Sequence, residues 1–180
     1  MSAVLLRPMR ADDADTVAAL HATSWRSAYR GILHDDYLDR EVDADRQAVW
    51  RERLQGQAAE PAFGIVADDA QGQMIGFAYV MLDNDPQWGT LVDNLHVHPD
   101  AKGGGIGRQL LQAVVRELGP GHRQRPLFLW VLDANEPAKR FYARLGAEFT
   151  DQAMSTPFDG RPKLKWRCVW RDPSTLLTHA

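Results

Sequence analysis

Four glycines lie within five residues of one another in the stretch HVHPDAKGGGIGRQLLQAVV, residues 96–115. Each glycine costs backbone entropy on folding, so this density at the start of a predicted helix indicates a turn that needs bare backbone. Free N–H groups and the partial positive charge of a helix N-terminus together bind anions. Lys102 and Arg108 flank the turn and add charge to it. The turn therefore predicts a site for phosphate or pyrophosphate.

Two well-known phosphate motifs do not fit this turn. A P-loop needs a lysine followed by Ser or Thr, whereas here Arg108 is followed by Gln109. A dinucleotide fingerprint needs G-x-G-x-x-G, but its last position is Arg108 when counted from Gly103 and Leu110 when counted from Gly105. The turn also follows a predicted hairpin instead of opening a βαβ unit. Neither motif explains the glycines.

A third motif fits better. The stretch VHPDAKGGGIGRQLL resembles the coenzyme A-binding motif of the GCN5-related N-acetyltransferase (GNAT) superfamily, which reads Arg or Gln, two residues, Gly, one residue, then Gly or Ala. Lysine at the first position keeps the charge but lacks the planar guanidinium. A second stretch, LWVLDANEPAKRFYARLGAEF, is similar to the next strand and helix of that family in its N…A…FY…LG pattern. The likeness covers residues 4–170.

The resemblance implies an acetyl-coenzyme A-dependent N-acetyltransferase that acts on a primary amine by direct transfer in a ternary complex. It places the pyrophosphate on the glycine turn and the pantetheine arm along the preceding strand. It also gives Asn135 a contact with the cofactor arm, although this residue is equally suited to cap the following helix. The cofactor-binding residues expected on this basis are Leu95, His96, Val97, Lys102, Gly103, Gly104, Gly105, Ile106, Gly107, Arg108, Asn135 and Tyr142.

Tyr142 and Asp93 are the expected catalytic residues. Tyr142 matches the tyrosine that protonates the departing sulfur in many family members, although its spacing alone is typical of a core position. Asp93 is the expected general base because strand alternation puts it on the face of Val97; its other interpretation is a structural hydrogen bond. The same alternation puts His96 and His98 on the opposite face, so they reach the acceptor side only if the strand carries a bulge.

Trp25 and Tyr29 are the candidate substrate-binding residues. They lie one helical turn apart, where they form either an aromatic wall for the acceptor or part of the helix–sheet core. The acceptor expected is a small-molecule amine, a peptide N-terminus or a lysine. The net charge of −3 suits a cationic acceptor such as a polyamine but is too small to decide the matter.

The order of predicted elements is β-α-α-β-β-β-α-β-α-β-β, with hairpin-linked strands first and strand–helix–strand units afterwards. This order predicts an α/β fold with a mixed sheet, and the resemblance implies that the sheet is largely antiparallel and opens where the cofactor enters. The 180 residues suit one domain, assigned to residues 1–170, with residues 171–180 as a frayed C-terminal tail.

Composition limits the partners that we expect. The chain has no broad basic footprint, so we expect no nucleic acid, and no apolar stretch approaches the length of a membrane span. The first fifteen residues carry too short an apolar run for a signal peptide, which makes the cytoplasm the expected location. His96 and His98 lack a third ligand nearby, so no metal is expected, and the lone Cys168 excludes an intramolecular disulfide.

Two further questions stay open at the level of sequence. A homodimer is possible, but no residues mark its surface. The alternative to an enzyme is a non-catalytic module that binds acyl-coenzyme A for a regulatory purpose. Retention of Tyr142 and Asn135 argues against that alternative, because a binding module needs no group to protonate a leaving thiolate.

Overall fold

The computed structural model describes residues 4–56, 60–156 and 159–178. These residues form one seven-stranded sheet with helices packed on both faces, which confirms the predicted mixed α/β fold and its order of elements. The strands are β1 (Leu5–Pro8), β2 (Ala62–Asp68), β3 (Met74–Asp85), β4 (Gly89–Val97), β5 (Leu127–Leu132), β6 (Glu148–Ser155) and β7 (Lys163–Trp170). The helices are α1 (Ala14–Tyr29), α2 (Val42–Gln55), α3 (Ile106–Glu117), α4 (Pro120–Arg123) and α5 (Glu136–Arg144).

The sheet opens between its two parallel strands. The strand order is β1-β2-β3-β4-β5-β7-β6, and every neighbouring pair is antiparallel except β4 with β5. These two strands share two register pairs, Thr90 with Leu127 and Leu91 with Phe128, and pair no further. Beyond Leu91, the side of β4 that faces β5 has no strand partner. The sheet is therefore split towards the carboxyl ends of both strands.

A bulge interrupts β4 just beyond its last pair with β5. Tyr79 of β3 lies opposite Asn94, while Val80 lies opposite Val92, so Asp93 is an extra residue without a partner on β3. A bulge of this kind reverses the alternation of side chains for the residues beyond it. The expectation that Asp93 shares the face of Val97 is therefore wrong.

The core consists of one apolar layer on each face of the sheet. Helix α3 buries an apolar stripe on one face, with Leu110 and Val114 fully buried. Helices α1 and α2 cover β2, β3 and β4 on the other face, where Trp50 packs against Phe77. A Cβ atom at Gly107 would lie 3.0 Å from the ring of Phe141, so a larger residue where α3 meets α5 would have to displace that ring. This close approach fixes the start of α3 relative to α5.

Residues 171–178 do not form a frayed end. Residues Pro173–Leu177 form a 3-10 helix that packs on α3, with Leu176 fully buried. The Asp172 carboxylate caps it by accepting a hydrogen bond from Ser174 N, and Gln112 Nε2 donates to Leu176 O over 3.0 Å. The expectation of a frayed tail is therefore wrong for these residues.

The thiol of Cys168 is buried in β7, and burial raises its pKa to about 12.

Within the three described segments, no helix is long and apolar enough to cross a membrane. In the same segments, no three His, Cys, Asp or Glu side chains group closely enough to hold a metal ion.

Candidate active site

The split in the sheet holds a cavity of about 1050 Å³, enclosed by α1, the end of β4, the glycine turn, β5 and α5. A volume of this size accommodates a large organic ligand. Most of the residues predicted from sequence meet there: Tyr29, Leu95, His96, Val97, Lys102, Gly103, Gly104, Gly105, Ile106, Gly107, Arg108, Asn135 and Tyr142. Asp93 and Trp25 do not line it.

The glycine turn presents open backbone to this cavity. Gly103 and Gly105 have φ angles of +86° and +75°, which side-chain-bearing residues rarely adopt. A Cβ at Gly103 would meet no atom within 4 Å, and one at Gly104 would meet only Ala101 O at 3.6 Å. Arg108 Nε is buried and has no hydrogen-bond partner among the described residues. An anion cradled by the turn would supply that partner, so these residues fit the pyrophosphate of coenzyme A.

His96 is an imidazole held beside the cavity. Its Nδ1 lies 3.0 Å from Ser24 Oγ of α1, and its ring centroid lies 4.3 Å from that of His21. Burial, reinforced by the nearby charge of Lys102, lowers the pKa of His96 to about 3. His96 is therefore neutral at physiological pH and has one ring nitrogen with a free lone pair.

His21 supports His96 from behind. It is fully buried, and burial lowers its pKa well below the usual value. Trp50 Nε1 donates a hydrogen bond of 2.9 Å to His21 Nδ1, so the proton of the neutral ring is on Nε2. That Nε2 has no partner among the described residues. The two imidazoles are thus stacked with both rings uncharged.

Asp93 lies outside this cavity and is engaged elsewhere. Its Oδ2 pairs with Arg53 Nη2 at 2.7 Å, and Arg53 Nη1 donates to Asn94 Oδ1 at 2.7 Å. The residues that line the cavity include no aspartate or glutamate in the described part of the chain. Among the described lining side chains, His96 is therefore the one imidazole, and no carboxylate stands beside it as an alternative base.

Tyr142 faces the cavity from α5 on the opposite side of the split. It is 9% exposed, and burial raises its pKa above the usual value, with further contributions from Tyr29 and Cys168. Its ring packs edge-on against Phe141 and Trp170. The hydroxyl is therefore a neutral proton donor in a fixed position.

Asn135 links the two walls of the split. Its Oδ1 accepts a hydrogen bond of 3.3 Å from Ala138 N and so caps α5 as predicted. Its side chain also forms a hydrogen bond with Tyr29 of α1, and burial raises the pKa of that tyrosine. Helices α1 and α5 are joined in this way beside the cavity.

Trp25 and Tyr29 separate into different environments. Trp25 packs edge-on against His21 and Tyr29, with ring centroids 4.8 and 5.5 Å away, and the Arg46 guanidinium lies 4.5 Å from its ring. Trp25 is thus a core residue, whereas Tyr29 contacts the cavity. Of the two positions expected for these residues, a core position is observed for Trp25 only.

Several lining residues were missed by the sequence analysis, notably Ser24, Trp130 and Arg144. Ser24 follows His21 by three positions and so lies on the same face of α1, which is a usable signal. Trp130 lies in the apolar run PLFLWVL, whose pattern predicts a strand buried on both faces. The split exposes one of those faces.

A mixed sheet split between parallel strands, with an anion-binding turn at one wall and a neutral tyrosine at the other, defines an acyl-coenzyme A-dependent transferase site. The model of the acetyltransferase (GNAT) family matches residues 13–147. The chain therefore belongs to this family of acetyl-coenzyme A-dependent N-acetyltransferases.

Individual relatives agree with this assignment. Mycothiol acetyltransferase of Thermomonospora curvata is 33% identical over 67% of this chain. The matched region covers 40% of that relative's length. The uncharacterized N-acetyltransferase YuaI of Bacillus subtilis is 28% identical over 81% of this chain and 80% of its own. The fold is similar to that of the PaiA N-acetyltransferase of Thermoplasma acidophilum in complex with coenzyme A, with a TM-score of 0.70 at 19% identity, over 92% of this chain and 98% of that one.

Proposed function

We propose that the protein transfers the acetyl group of acetyl-coenzyme A directly to a primary amine while both substrates are bound. The observation that carries the proposal is the meeting of the glycine turn, His96 and Tyr142 on one cavity. The amine nitrogen forms a bond with the thioester carbonyl carbon, and the carbon–sulfur bond breaks. One proton leaves the nitrogen and one is taken up by the sulfur, so each needs a group placed for it.

The glycine turn and the free side of β4 would hold the cofactor. Backbone N–H groups at the start of α3, with Lys102 and Arg108, would bind the pyrophosphate. The β4 backbone from Leu95 to Val97 lies beyond its last pair with β5, so its groups on that side are available to the pantetheine arm. A Val97 amide directed at the thioester oxygen would stabilise the charge that develops there.

His96 is the group that we assign to the amine proton, in place of Asp93. In the tautomer in which Nδ1–H donates to Ser24 Oγ, Nε2 has a free lone pair. The low pKa keeps this nitrogen unprotonated in the resting enzyme. The contact with Ser24 and the stacking on His21 hold the ring in place, and the pairing of Asp93 with Arg53 argues against Asp93 in the same role.

Tyr142 is the group that we assign to the leaving sulfur. A phenol buried away from water remains protonated in the resting enzyme. It would donate a hydrogen bond, and then its proton, to the sulfur as negative charge develops there while the carbon–sulfur bond breaks. Asn135 and Tyr29, joined by a hydrogen bond, would close the cavity next to this reaction.

The test is thiol release from acetyl-coenzyme A with a panel of primary amines, for the wild type and Tyr142→Phe. We expect turnover by the wild type and a loss of about 10²-fold or more in the variant, because an acid catalyst contributes at least this much. Coenzyme A affinity should stay unchanged, since the ring and its packing are kept. A protein that binds coenzyme A but acetylates no amine would be the binding module considered above.

A homodimer and a cytoplasmic location remain predictions of the sequence. The amine acceptor is proposed here as a class.

A further inference from the structure

A stack of cations and aromatic rings forms one wall beside the cavity. Trp130 of β5 lines the cavity, and its ring centroid lies 4.4 Å from Lys165 Nζ and 4.7 Å from the Arg167 guanidinium carbon. Arg167 also lies over the rings of Trp88 and Phe128, at 4.8 and 5.4 Å. Positive charge on β7 is therefore held one ring away from the cavity.

Lys165 carries the uncompensated charge of this wall. No carboxylate among the described residues lies within ion-pair distance of its Nζ, whereas Arg167 pairs with Asp151 at 3.5 Å. Asp93, the nearby carboxylate on β4, is paired with Arg53. Partial burial and the charge of Arg167 lower the pKa of Lys165, and the opposing effect of the Asp93 charge is smaller.

The charged side chains that line the cavity are positively charged as well. They are Lys102, Arg108 and Arg144, and no carboxylate lines the cavity in the described part of the chain. Lys102 and Arg108 flank the glycine turn and are accounted for by the pyrophosphate. A polyamine needs carboxylates for its remaining ammonium groups, and this site does not supply them.

We propose that the acceptor is an amine that carries a carboxylate, and that Lys165 is the specificity-determining residue that pairs with this carboxylate. The inference rests on the proposed function and narrows its substrate class. The single ammonium group of the Trp130 wall, which has no ion-pair partner among the described residues, matches one carboxylate. The ring of Trp130 beside Lys165 shields the pair from water, which strengthens it relative to a pair on an open surface. A small amino acid or an ω-amino acid has this chemistry.

The experiment compares acceptors that differ only in charge. Thiol release is measured with ω-amino acids of increasing chain length, with the corresponding ω-amino amides, and with spermidine. The wild type should prefer the best amino acid to its amide by about tenfold or more in kcat/KM, because a charge-assisted hydrogen bond is lost with the amide. The chain-length series locates the amine at the correct distance from Lys165.

Two substitutions at Lys165 and one control assign the preference to this residue. Lys165→Met keeps the aliphatic stem on Trp130 and should raise KM for the amino acid about tenfold, while kinetics with the amide stay unchanged. Lys165→Arg should restore the preference for the acid in part. Arg116→Met removes one positive charge from the exposed surface of α3 and should leave the preference intact.

The outcomes distinguish a failure of the carboxylate inference from a failure of the proposed acetyltransferase function. Equal use of acid and amide by the wild type, a preference for spermidine, or an equal loss on both acceptors in Lys165→Met would overturn the carboxylate inference and leave amine acetylation standing. Coenzyme A binding without turnover of any amine would overturn the proposed function, and the inference with it.

Discussion

Asp93 Oδ2 lies 2.7 Å from Arg53 Nη2, so the carboxylate on the cofactor strand is paired with α2 and does not face the cavity. The bulge at Asp93 produces this arrangement, because it inserts one residue between two otherwise regular stretches of the β3–β4 ladder. The same bulge leaves His96 beside Phe77 and His21, where it also lines the cavity. Because of this one extra residue, the candidate general base in the cavity is the imidazole of His96 and not the carboxylate of Asp93.

The first prediction concerns that exchange. His96→Gln should lower kcat/KM for the amine by about 10²-fold or more, since a positioned base contributes 10²- to 10⁴-fold. Asp93→Asn, the matched variant three positions earlier, should keep turnover close to that of the wild type. Steady-state thiol release measures both, and calorimetry should find coenzyme A affinity unchanged in each. A larger loss in Asp93→Asn than in His96→Gln would return the role of the base to Asp93.

Acid stability offers a second and independent test of the environment of His96. Its pKa is about 3 in the folded protein against 6.5 as the usual value, so the unfolded chain binds more protons between these limits. The free energy of unfolding should therefore be fully retained above pH 6.5 and decrease as the pH falls towards 3. Each such imidazole contributes a slope of at most about 1.4 kcal/mol per pH unit.

Urea titrations between pH 7 and pH 4 measure this slope. His96→Gln should reduce it without abolishing it, because burial also lowers the pKa of His21. His34→Gln is the control, since His34 is exposed and lies away from the cavity. An unchanged slope in His96→Gln would show that the ring of His96 is not desolvated as described.

The third prediction concerns the C-terminal 3-10 helix. Leu176 is fully buried against α3, whereas its neighbour Leu177 is 37% exposed. Leu176→Ala should lower the free energy of unfolding by about 2–5 kcal/mol, the range for a leucine removed from a packed core. Leu177→Ala should change it by less than about 0.5 kcal/mol, as is usual at the surface. Similar effects of the two substitutions in urea unfolding would mean that this segment does not pack on α3.

The sequence predicts most of this fold because the signals are local. The two strands predicted at the end of the chain are observed as β6 and β7, and α3 begins at Ile106 directly after the first three glycines. Apolar periodicity, a cap and a turn each depend on neighbours in the chain. The glycine turn is readable for the same reason, since anion binding needs only its own backbone.

The features that sequence reasoning missed depend on pairing between distant segments. The bulge at Asp93 arises from the way β3 and β4 pair. A prediction that assumes strict alternation of side chains along a single strand cannot include it. The core position of Trp25 and the cavity position of Tyr29 follow from how α1 crosses the sheet. Lys165 gains its significance only when β7 is placed beside β5, because its ammonium group then lies against Trp130, a residue that lines the cavity.

The central claim is that the glycine turn binds coenzyme A, and Gly104 allows it to be tested with little disturbance of the fold. Its φ angle lies outside the left-handed region, and a Cβ there would meet only Ala101 O at 3.6 Å. A valine at this position should therefore fold normally but occupy the cradle. Gly121→Val is the control, because a Cβ at Gly121 meets no atom within 4 Å and that residue lies in α4, away from the cavity.

The most direct measurement is a calorimetric titration of the wild type, Gly104→Val and Gly121→Val with coenzyme A, with thermal unfolding of all three as the check on folding. We expect binding by the wild type and Gly121→Val, and affinity at least about tenfold weaker in Gly104→Val, a loss of about 1.4 kcal/mol, at an unchanged melting temperature. Equal affinity in all three proteins, or no binding by the wild type, would contradict the assignment of this turn as the coenzyme A site.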